Sequence, residues 1–301
     1  MNTSLHVGFV GIGNMGWPMA KNIRAAGYTL SVYDADPERA RRFAAEHGAT
    51  AADSPAALGR GADVVVTMLP SGKEVDAALL GADGIASALA QGAVVVDMSS
   101  SNPVGTRALG KALGERGIAL IDAPVSGLVA KAETGTLTIM VGADDEAALA
   151  IATPVLEKLG ERLIRIGALG AGHAMKALNN YVAATAFAAT AEALIVGKRF
   201  GLDPAIMAQV ISVSTGRNFH VDVSFPHHVL TRRFGTGFSL GLLVKDVGIA
   251  HDLSDALEAN TPLMSLVTQL WTEGRDEIGA DQDNTAAIKL WERRNGVTLE
   301  S

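Results

Sequence analysis

The sequence predicts an α/β protein with a doubly wound parallel sheet in its first half and only helices in its second half. In the first half, short β-branched runs alternate with alanine-rich stretches, as strands and helices do in such folds. Runs such as Val64-Val65-Val66 are continuously apolar, which is typical of strands buried on both faces of a parallel sheet. No strand pattern returns after the glycine-rich segment 167–172. We therefore expect domains at residues 1–165 and 166–301, with a long helix at about 170–199 between them.

The predicted strands are short and apolar: His6–Val10, Thr29–Tyr33, Val64–Met68, Val94–Met98, Ala119–Ile121, Leu137–Val141 and Arg162–Ile166. Helices are expected between them, for example Met15–Ala26, Pro37–His47 and Pro103–Arg116. In the second half the helical pattern covers residues 173–199, followed by Pro204–Val213, Phe225–Thr231, Leu242–Ala259 and Pro262–Gly274.

Composition excludes several functional classes. The net charge of −7 is opposite to the basic surface that nucleic-acid binding requires. Without cysteine there are no disulfides or thiolate chemistry, and no histidine pair has metal-ligand spacing, so we expect no metal. The amino terminus shows no signal-peptide pattern, and the apolar stretch Tyr181–Val196 falls short of the ~20 residues of a bilayer span. We expect a cytoplasmic protein with no membrane contact and a buried helix at 181–196.

A glycine motif follows the first predicted strand and opens the first helix. It has the spacing G-x-G-x-x-G and consists of Gly11, Ile12, Gly13, Asn14, Met15 and Gly16. Such glycines allow a tight turn, close approach of the backbone to a pyrophosphate, and packing of the helix on the strand. Asp34 ends the second strand, eighteen residues after Gly16, near the ~20-residue spacing of a ribose-binding acid. We predict a dinucleotide-binding Rossmann domain, against the alternative of ordinary turn glycines and a strand-end Asp34.

The charge of Asp34 would repel a 2′-phosphate, so NAD is the expected cofactor and NADP the less favoured one. Arg39, Arg41 and Arg42 are the counter-argument. They fall inside the next predicted helix, and a solvated helix face is the simpler interpretation of the three.

Two polar groups interrupt otherwise apolar segments. Lys176 and Asn180 are four residues apart, so they share one face of the long helix. Burial would depress the pKa of a lysine there, as a general acid and base needs, although a lysine that reaches solvent is equally compatible. Ser126 and Gly127 follow the strand at 119–121, where a loop opens on the ligand crevice of this fold; they fit either a carboxylate site or a simple turn.

Four motifs follow one another in a recognisable order: Gly8-Phe9-Val10-Gly11-Ile12-Gly13-Asn14-Met15-Gly16; Asp122-Ala123-Pro124-Val125-Ser126-Gly127, with Gly135-Thr136-Leu137 and Met140-Val141-Gly142 after it; Gly170-Ala171-Gly172-His173-Ala174-Met175-Lys176-Ala177-Leu178-Asn179-Asn180; and Phe238 with Lys245-Asp246. Together they resemble the β-hydroxyacid dehydrogenase family, which includes 3-hydroxyisobutyrate dehydrogenase and tartronate semialdehyde reductase. The similarity runs from about residue 5 to about residue 290.

The resemblance implies roles for individual residues. Lys176 is the expected general acid and base, with Asn180 as its substrate-positioning neighbour. Ser126 and Gly127 would hold the substrate carboxylate. The positions implied to contact the cofactor, besides the glycine motif and Asp34, are Met68, Leu69, Pro70, Ser100 and Lys245. Family members also associate through the second domain, so a homodimer or homotetramer is expected.

One position departs from the family pattern, because Leu128 stands where the family usually has a second glycine after the serine. If that position requires a positive φ, a leucine there is strained. Arg217, in the helical domain, is a further candidate for substrate selection, although a surface salt bridge is the simpler interpretation.

The resemblance implies NAD-dependent oxidation of a small hydroxyacid, bearing a carboxylate or a sulfonate, to its semialdehyde. The alternatives are an NAD(P)H-dependent semialdehyde reductase of the tartronate, succinic or sulfolactaldehyde type, and an L-threonate-type dehydrogenase. An imine reductase is disfavoured by Lys176, and a cofactor-binding protein without catalysis is disfavoured by the retained Lys176, Asn180, Ser126 and Gly127.

Overall fold

The computed structural model describes residues 5–300. The chain divides into two compact units, residues 1–176 and 177–301. The division falls inside a long helix, and the boundary at residues 165/166 stays a prediction. The expectation of no signal peptide falls mainly on residues 1–4, which lie outside the described part.

The first unit is built on one mixed sheet. Its strands are β1 His6–Val10, β2 Thr29–Tyr33, β3 Thr50–Ala51, β4 Val64–Thr67, β5 Val94–Asp97, β6 Ala119–Asp122, β7 Val125–Ser126, β8 Leu137–Gly142 and β9 Gly160–Gly167. Their order is β3-β2-β1-β4-β5-β6-β8-β7, with β9 beside β8. From β3 to β6 all pairs are parallel, whereas β8 runs antiparallel to β6 and β7. The predicted doubly wound sheet is therefore confirmed, with an antiparallel portion that the sequence pattern did not indicate.

The sheet is buried on both faces, as the continuous apolar runs predict. Val64 and Val66 of β4 belong to one hydrophobic core, and Val65 belongs to another. Register aligns the strand ends, because Val10 pairs with Thr67 and Thr67 with Asp97. Asp97 in turn pairs with Asp122. The segments that follow β1, β4, β5 and β6 therefore begin at one edge of the sheet, where ligands bind in open α/β folds.

Helices of the first unit are α1 Gly16–Ala25, α2 Pro37–His47, α3 Pro55–Gly59, α4 Gly72–Leu80, α5 Pro103–Gly114, α6 Leu128–Thr134 and α7 Glu146–Leu156, with a 3₁₀ turn at Ile85–Ser87. The predicted bounds of α2 are confirmed because both ends are strongly marked. Asp36 accepts hydrogen bonds from the first-turn N–H groups, Pro37 occupies the first position, and Gly48 ends the helix in the left-handed conformation.

Helix α8, Ala171–Phe200, runs from the end of the first unit into the second. By length and composition alone it could cross a membrane, contrary to the expectation that this stretch falls short. Half of its most apolar window is buried inside the protein. Phe187, on this helix, stacks on Phe225 and lies close to Trp271, so α8 forms the centre of the second unit's core.

The rest of the second unit consists of α9 Pro204–Ser212, α10 Leu240–Ala256, α11 Pro262–Ile278 and α12 Ile288–Asn295, with a 3₁₀ turn at Asn284–Ala287. The predicted helix Phe225–Thr231 overlaps a helix at His220–Val229, which is a π-helix. Pro226 lies inside it and has no N–H to donate to a regular helical ladder.

Candidate active site

The glycine motif lies between β1 and α1, where the strand order reverses between β1 and β4. Gly11 has φ +86°, and a Cβ there would collide with the carbonyl oxygen of Met68. A Cβ on Gly16 would collide with the carbonyl oxygen of Gly11. No atom lies within 4 Å of the Cβ position of Gly13. The first and third glycines are thus required by packing, and the second leaves open space beside the backbone.

Asp34 follows β2 and is buried beside this loop. Its Oδ2 accepts the backbone N–H of Ile12 at 2.9 Å, so the carboxylate holds the glycine loop in place. Its Oδ1 accepts the N–H of Asp36 at 2.9 Å and a guanidinium N–H of Arg39 at 3.0 Å. A solvated helix face is therefore not the full account of the arginines, because Arg39 contacts the predicted ribose-binding acid.

The other predicted cofactor positions lie at the same sheet edge. The N–H of Met68 donates to the carbonyl of Val10 at 2.9 Å, and the N–H of Leu69 donates to Ser99 Oγ at 2.9 Å. Pro70 is exposed, and Ser100, directly after Ser99, is half-buried. These strand ends thus surround the glycine loop.

A dinucleotide fits this edge of the first unit. Asn14 is exposed and Met15 half-buried at the start of α1, where a helix amino terminus favours phosphate. The glycine loop, the open space at Gly13 and the buried carboxylate of Asp34 supply the parts that pyrophosphate and ribose binding need. Within residues 5–300, no three His, Asp or Glu side chains are grouped as metal ligands would be.

The loop predicted to bind a carboxylate begins with the short strand β7. Ser126 ends β7 opposite Thr138 of β8, and both Ser126 and Gly127 are half-buried. Gly127 has φ +142° and Leu128 has φ +59°. Leu128, 44% exposed, therefore occupies the left-handed region that leucine normally avoids, at a cost of ~1–2 kcal/mol. The suspected strain at this departure from the family pattern is present in the structure.

A buried carboxylate links this loop to helix α8. Asp122, at the end of β6, accepts the backbone N–H groups of Gly170 and His173, each at 2.7 Å. Burial raises the pKa of Asp122, and His173 with the two backbone N–H groups acts in the opposite direction. A Cβ on Gly172 would lie 2.9 Å from Asp122 Oδ2, and one on Gly142 would collide with Asp122 Oδ1. Two glycines thus enclose the carboxylate that fixes the start of α8.

His173 is fully buried at this junction. Its Nδ1 lies 2.8 Å from Thr106 Oγ1, and its Nε2 lies 3.6 Å from Asp97 Oδ2. The side chain therefore packs the start of α8 against the sheet. Lys176 follows three residues later, is half-buried, and is the last residue of the first unit.

In the second unit, Asn180 and Lys245 converge on one carboxylate. The side-chain NH₂ of Asn180 donates to Asp246 Oδ2 at 2.6 Å, and Lys245 Nζ lies 2.8 Å from Asp246 Oδ1. Both Asn180 and Asp246 are buried. The amide oxygen of Asn180 accepts from the side-chain NH₂ of Asn179 at 3.4 Å. Arg217, by contrast, donates to Asp222 at 2.9 Å and forms an exposed salt bridge.

Sequence patterns did not identify three of these contacts: Arg39 with Asp34, Asp122 with the start of α8, and Asp246 with Asn180. Asp122, His173, Asn180 and Asp246 all lie in the motifs that carry the family resemblance, but those motifs do not show which residues contact one another. The pairing across 51 residues between Asp122 and His173 left no local signal.

Known proteins are similar to this chain over most of its length. Residues 6–167 match the family described as the NAD binding domain of 6-phosphogluconate dehydrogenase, and residues 170–291 match that described as NAD-binding of NADP-dependent 3-hydroxyisobutyrate dehydrogenase. The chain is 36% identical over 299 residues to 2-(hydroxymethyl)glutarate dehydrogenase of Eubacterium barkeri, covering 99% of each chain. It is 38% identical over 272 residues to 3-hydroxyisobutyrate dehydrogenase of Pseudomonas aeruginosa, covering 88% of this chain and 91% of that protein.

A solved structure is similar over nearly the whole chain. The 3-hydroxyisobutyrate dehydrogenase of Mycobacterium tuberculosis, in a structure with L-serine, has a TM-score of 0.87 and 34% sequence identity. The match covers 96% of this chain and 99% of that one.

Proposed function

This chain belongs to the β-hydroxyacid dehydrogenase family, and from that premise we propose that it oxidises a small β-hydroxyacid with NAD, using Lys176 as general acid and base. It is an NAD(P)-dependent oxidoreductase that acts on a CH–OH group.

The roles of Ser126, Gly127 and Lys176 are supported by the hydrogen bond that joins the segment before the Ser126–Gly127 loop to helix α8. Asp122 precedes the Ser126–Gly127 loop by four residues and hydrogen bonds directly to the start of α8, which bears Lys176. Both elements belong to the first unit, at the sheet edge where the glycine motif and Asp34 lie. One buried contact therefore links the proposed carboxylate-binding loop to the helix that bears the proposed proton-transfer group.

In the proposed reaction, Ser126 Oγ and the backbone N–H of Gly127 bind the substrate carboxylate. Lys176 Nζ accepts the proton of the substrate hydroxyl during oxidation and returns it when a semialdehyde is reduced. Asn180, one helical turn further along α8, orients the substrate oxygen through its amide. The nicotinamide, when bound, supplies the hydride-transfer chemistry. The glycine motif and Asp34 hold the cofactor, and Met68, Leu69, Pro70, Ser100 and Lys245 are proposed to contact it.

The substrate is tested with a panel of hydroxyacids chosen from the relatives. 3-Hydroxyisobutyrate, 2-(hydroxymethyl)glutarate and L-serine are offered with NAD and separately with NADP, and reduced nicotinamide is followed by absorbance. Glycerate, L-threonate and a sulfonated three-carbon alcohol complete the panel. Turnover of one acid, faster with NAD, is the expected result. Cofactor binding without oxidation of any of these acids, with NAD or with NADP, would overturn the proposed activity.

The proposal also includes a cytoplasmic homodimer or homotetramer. Large apolar side chains are exposed on the second unit, among them Phe200 and Val213, each 84% exposed. Where such side chains form one contiguous patch, that patch marks an association face. Light scattering measures the mass in solution, and a monomer at micromolar concentration would contradict this part of the proposal.

A further inference from the structure

The side chain of Arg39 lies within the group of charges around Asp34. Its Nη1 is 3.0 Å from Asp34 Oδ1, and its Nη2 is 3.6 Å from Asp36 Oδ2. The position is fixed locally, because Arg39 lies in the first turn of α2, whose amino end Asp36 caps. One guanidinium thus lies between two carboxylates at the predicted ribose site.

The neighbouring arginines are directed elsewhere. Arg41 forms an ion pair with Glu38. Arg42 lies over the ring of Trp17, 4.6 Å from its centroid, and 3.8 Å from Glu46. Of the three arginines in this helix, Arg39 is the one in contact with Asp34.

This contact changes what Asp34 offers to a cofactor. A carboxylate has about four acceptor positions, and three of those of Asp34 already receive N–H groups, from Ile12, Asp36 and Arg39. The carboxylates of Asp34 and Asp36 would both repel a 2′-phosphate, and the positive charge of Arg39 offsets one of these two negative charges. With 40% of its side chain exposed, it is free to exchange Asp34 for another anion.

We propose that Arg39 is a determinant of cofactor choice, which weakens the rejection of a 2′-phosphate by Asp34 and lets the enzyme use NADP as a second, slower cofactor. This inference rests on the proposed function. A guanidinium binds a phosphate through two parallel N–H groups, so Arg39 bonds to Asp34 in the presence of NAD and to the phosphate in the presence of NADP.

The test compares the dissociation constants of NAD and NADP, measured by calorimetry without hydroxyacid, and kcat/KM for both cofactors. The proteins are the wild type, Arg39→Gln, Asp34→Asn, the double variant, and Arg41→Gln as the matched control. Arg39→Gln is expected to raise the ratio of the NADP to the NAD dissociation constant by about tenfold or more. Asp34→Asn is expected to lower that ratio. In the double variant this decrease is expected to disappear, because Arg39 is no longer present to bind the 2′-phosphate. Arg41→Gln keeps the wild-type ratio.

The outcomes separate this inference from the proposed function. Normal NAD binding and turnover, with an unchanged ratio in Arg39→Gln, overturns the role of Arg39 alone. Equal weakening of both cofactors in that variant also overturns it, since Arg39 would then only support the loop. If the wild type binds neither cofactor, the proposed function and this inference fail together.

Discussion

Asp122 Oδ2 accepts the backbone N–H of His173 at 2.7 Å, which joins the end of β6 to the first turn of α8. The same carboxylate accepts the N–H of Gly170 through its other oxygen. Helix amino termini are usually capped by a residue of their own chain segment, whereas this one is capped from a strand 51 residues away. This buried side chain therefore contributes to the position of Lys176 relative to the Ser126–Gly127 loop, together with the packing of His173.

Replacement of Asp122 by asparagine is expected to lower kcat/KM for the hydroxyacid by ~10²-fold, because a displacement of about 1 Å at a reacting group has that effect. An amide can accept through one atom only, so one of the two N–H bonds is lost. The dissociation constant of NAD is expected to stay at the wild-type value, and steady-state kinetics with calorimetry measures both.

Asp145→Asn is the matched control for this variant. Asp145 caps α7 by accepting the N–H groups of Ala147 and Ala148, but α7 bears no proposed site residue. Asp145→Asn is expected to keep its stability and activity, because one oxygen of Asp145 accepts both N–H groups and asparagine caps a helix as well as aspartate does. Asp122→Asn is expected to lose ~1 kcal/mol of stability, the usual contribution of one hydrogen bond, and to lose activity. Equal activity of the two, at a temperature where both are folded, would contradict a positioning role for Asp122.

Lys176→Ala is expected to lower kcat by ~10²–10⁴-fold, the usual contribution of a general acid or base, while NAD still binds. Lys198→Ala, on the last turn of the same helix, is the control for loss of a lysine. Steady-state rates and calorimetry check both variants. Unchanged turnover in Lys176→Ala would rule out the proposed proton transfer.

Asp246→Asn is expected to lower kcat/KM for the hydroxyacid by ~10-fold, because the single acceptor oxygen of asparagine cannot serve both Asn180 and Lys245. Lys245 also loses its counter-charge in this variant. Asp252→Asn, exposed on the same helix α10, is the control. The pair is compared by steady-state kinetics, and equal rates would show that Asn180 needs no orienting partner.

Leu128→Gly is expected to stabilise the protein by ~0.5–1 kcal/mol, since glycine adopts a φ of +59° without strain. Little apolar burial is lost, because the leucine is largely exposed. Ala130→Gly, two residues further along α6, is expected to destabilise by a similar amount. Urea unfolding of the three proteins measures the difference, and destabilisation by both glycines would show that Leu128 makes compensating contacts.

The sequence was most informative where local chemistry decides the structure. Pro37 and Gly48 mark both ends of α2, and the apolar runs around Val65 identify a sheet with two buried faces. Strand β3 and the antiparallel pairing of β7 were missed because two-residue strands carry no periodicity. The contact between Arg39 and Asp34 depends on the side-chain conformation across a helix cap, which residue spacing does not specify.

The enclosure of Asp122 by Gly142 and Gly172 has a consequence for how this protein tolerates mutation. A methyl group added at Gly142 would occupy the space of a carboxylate oxygen of Asp122, and one added at Gly172 would collide with the Met140 carbonyl oxygen and lie against the other carboxylate oxygen. A larger side chain at residue 142 or 172 therefore disturbs the same carboxylate that a substitution of Asp122 removes. In a scan of all substitutions, these three positions, distant in the sequence, would form one intolerant group, in which side-chain size limits change at the two glycines and hydrogen bonding limits it at Asp122.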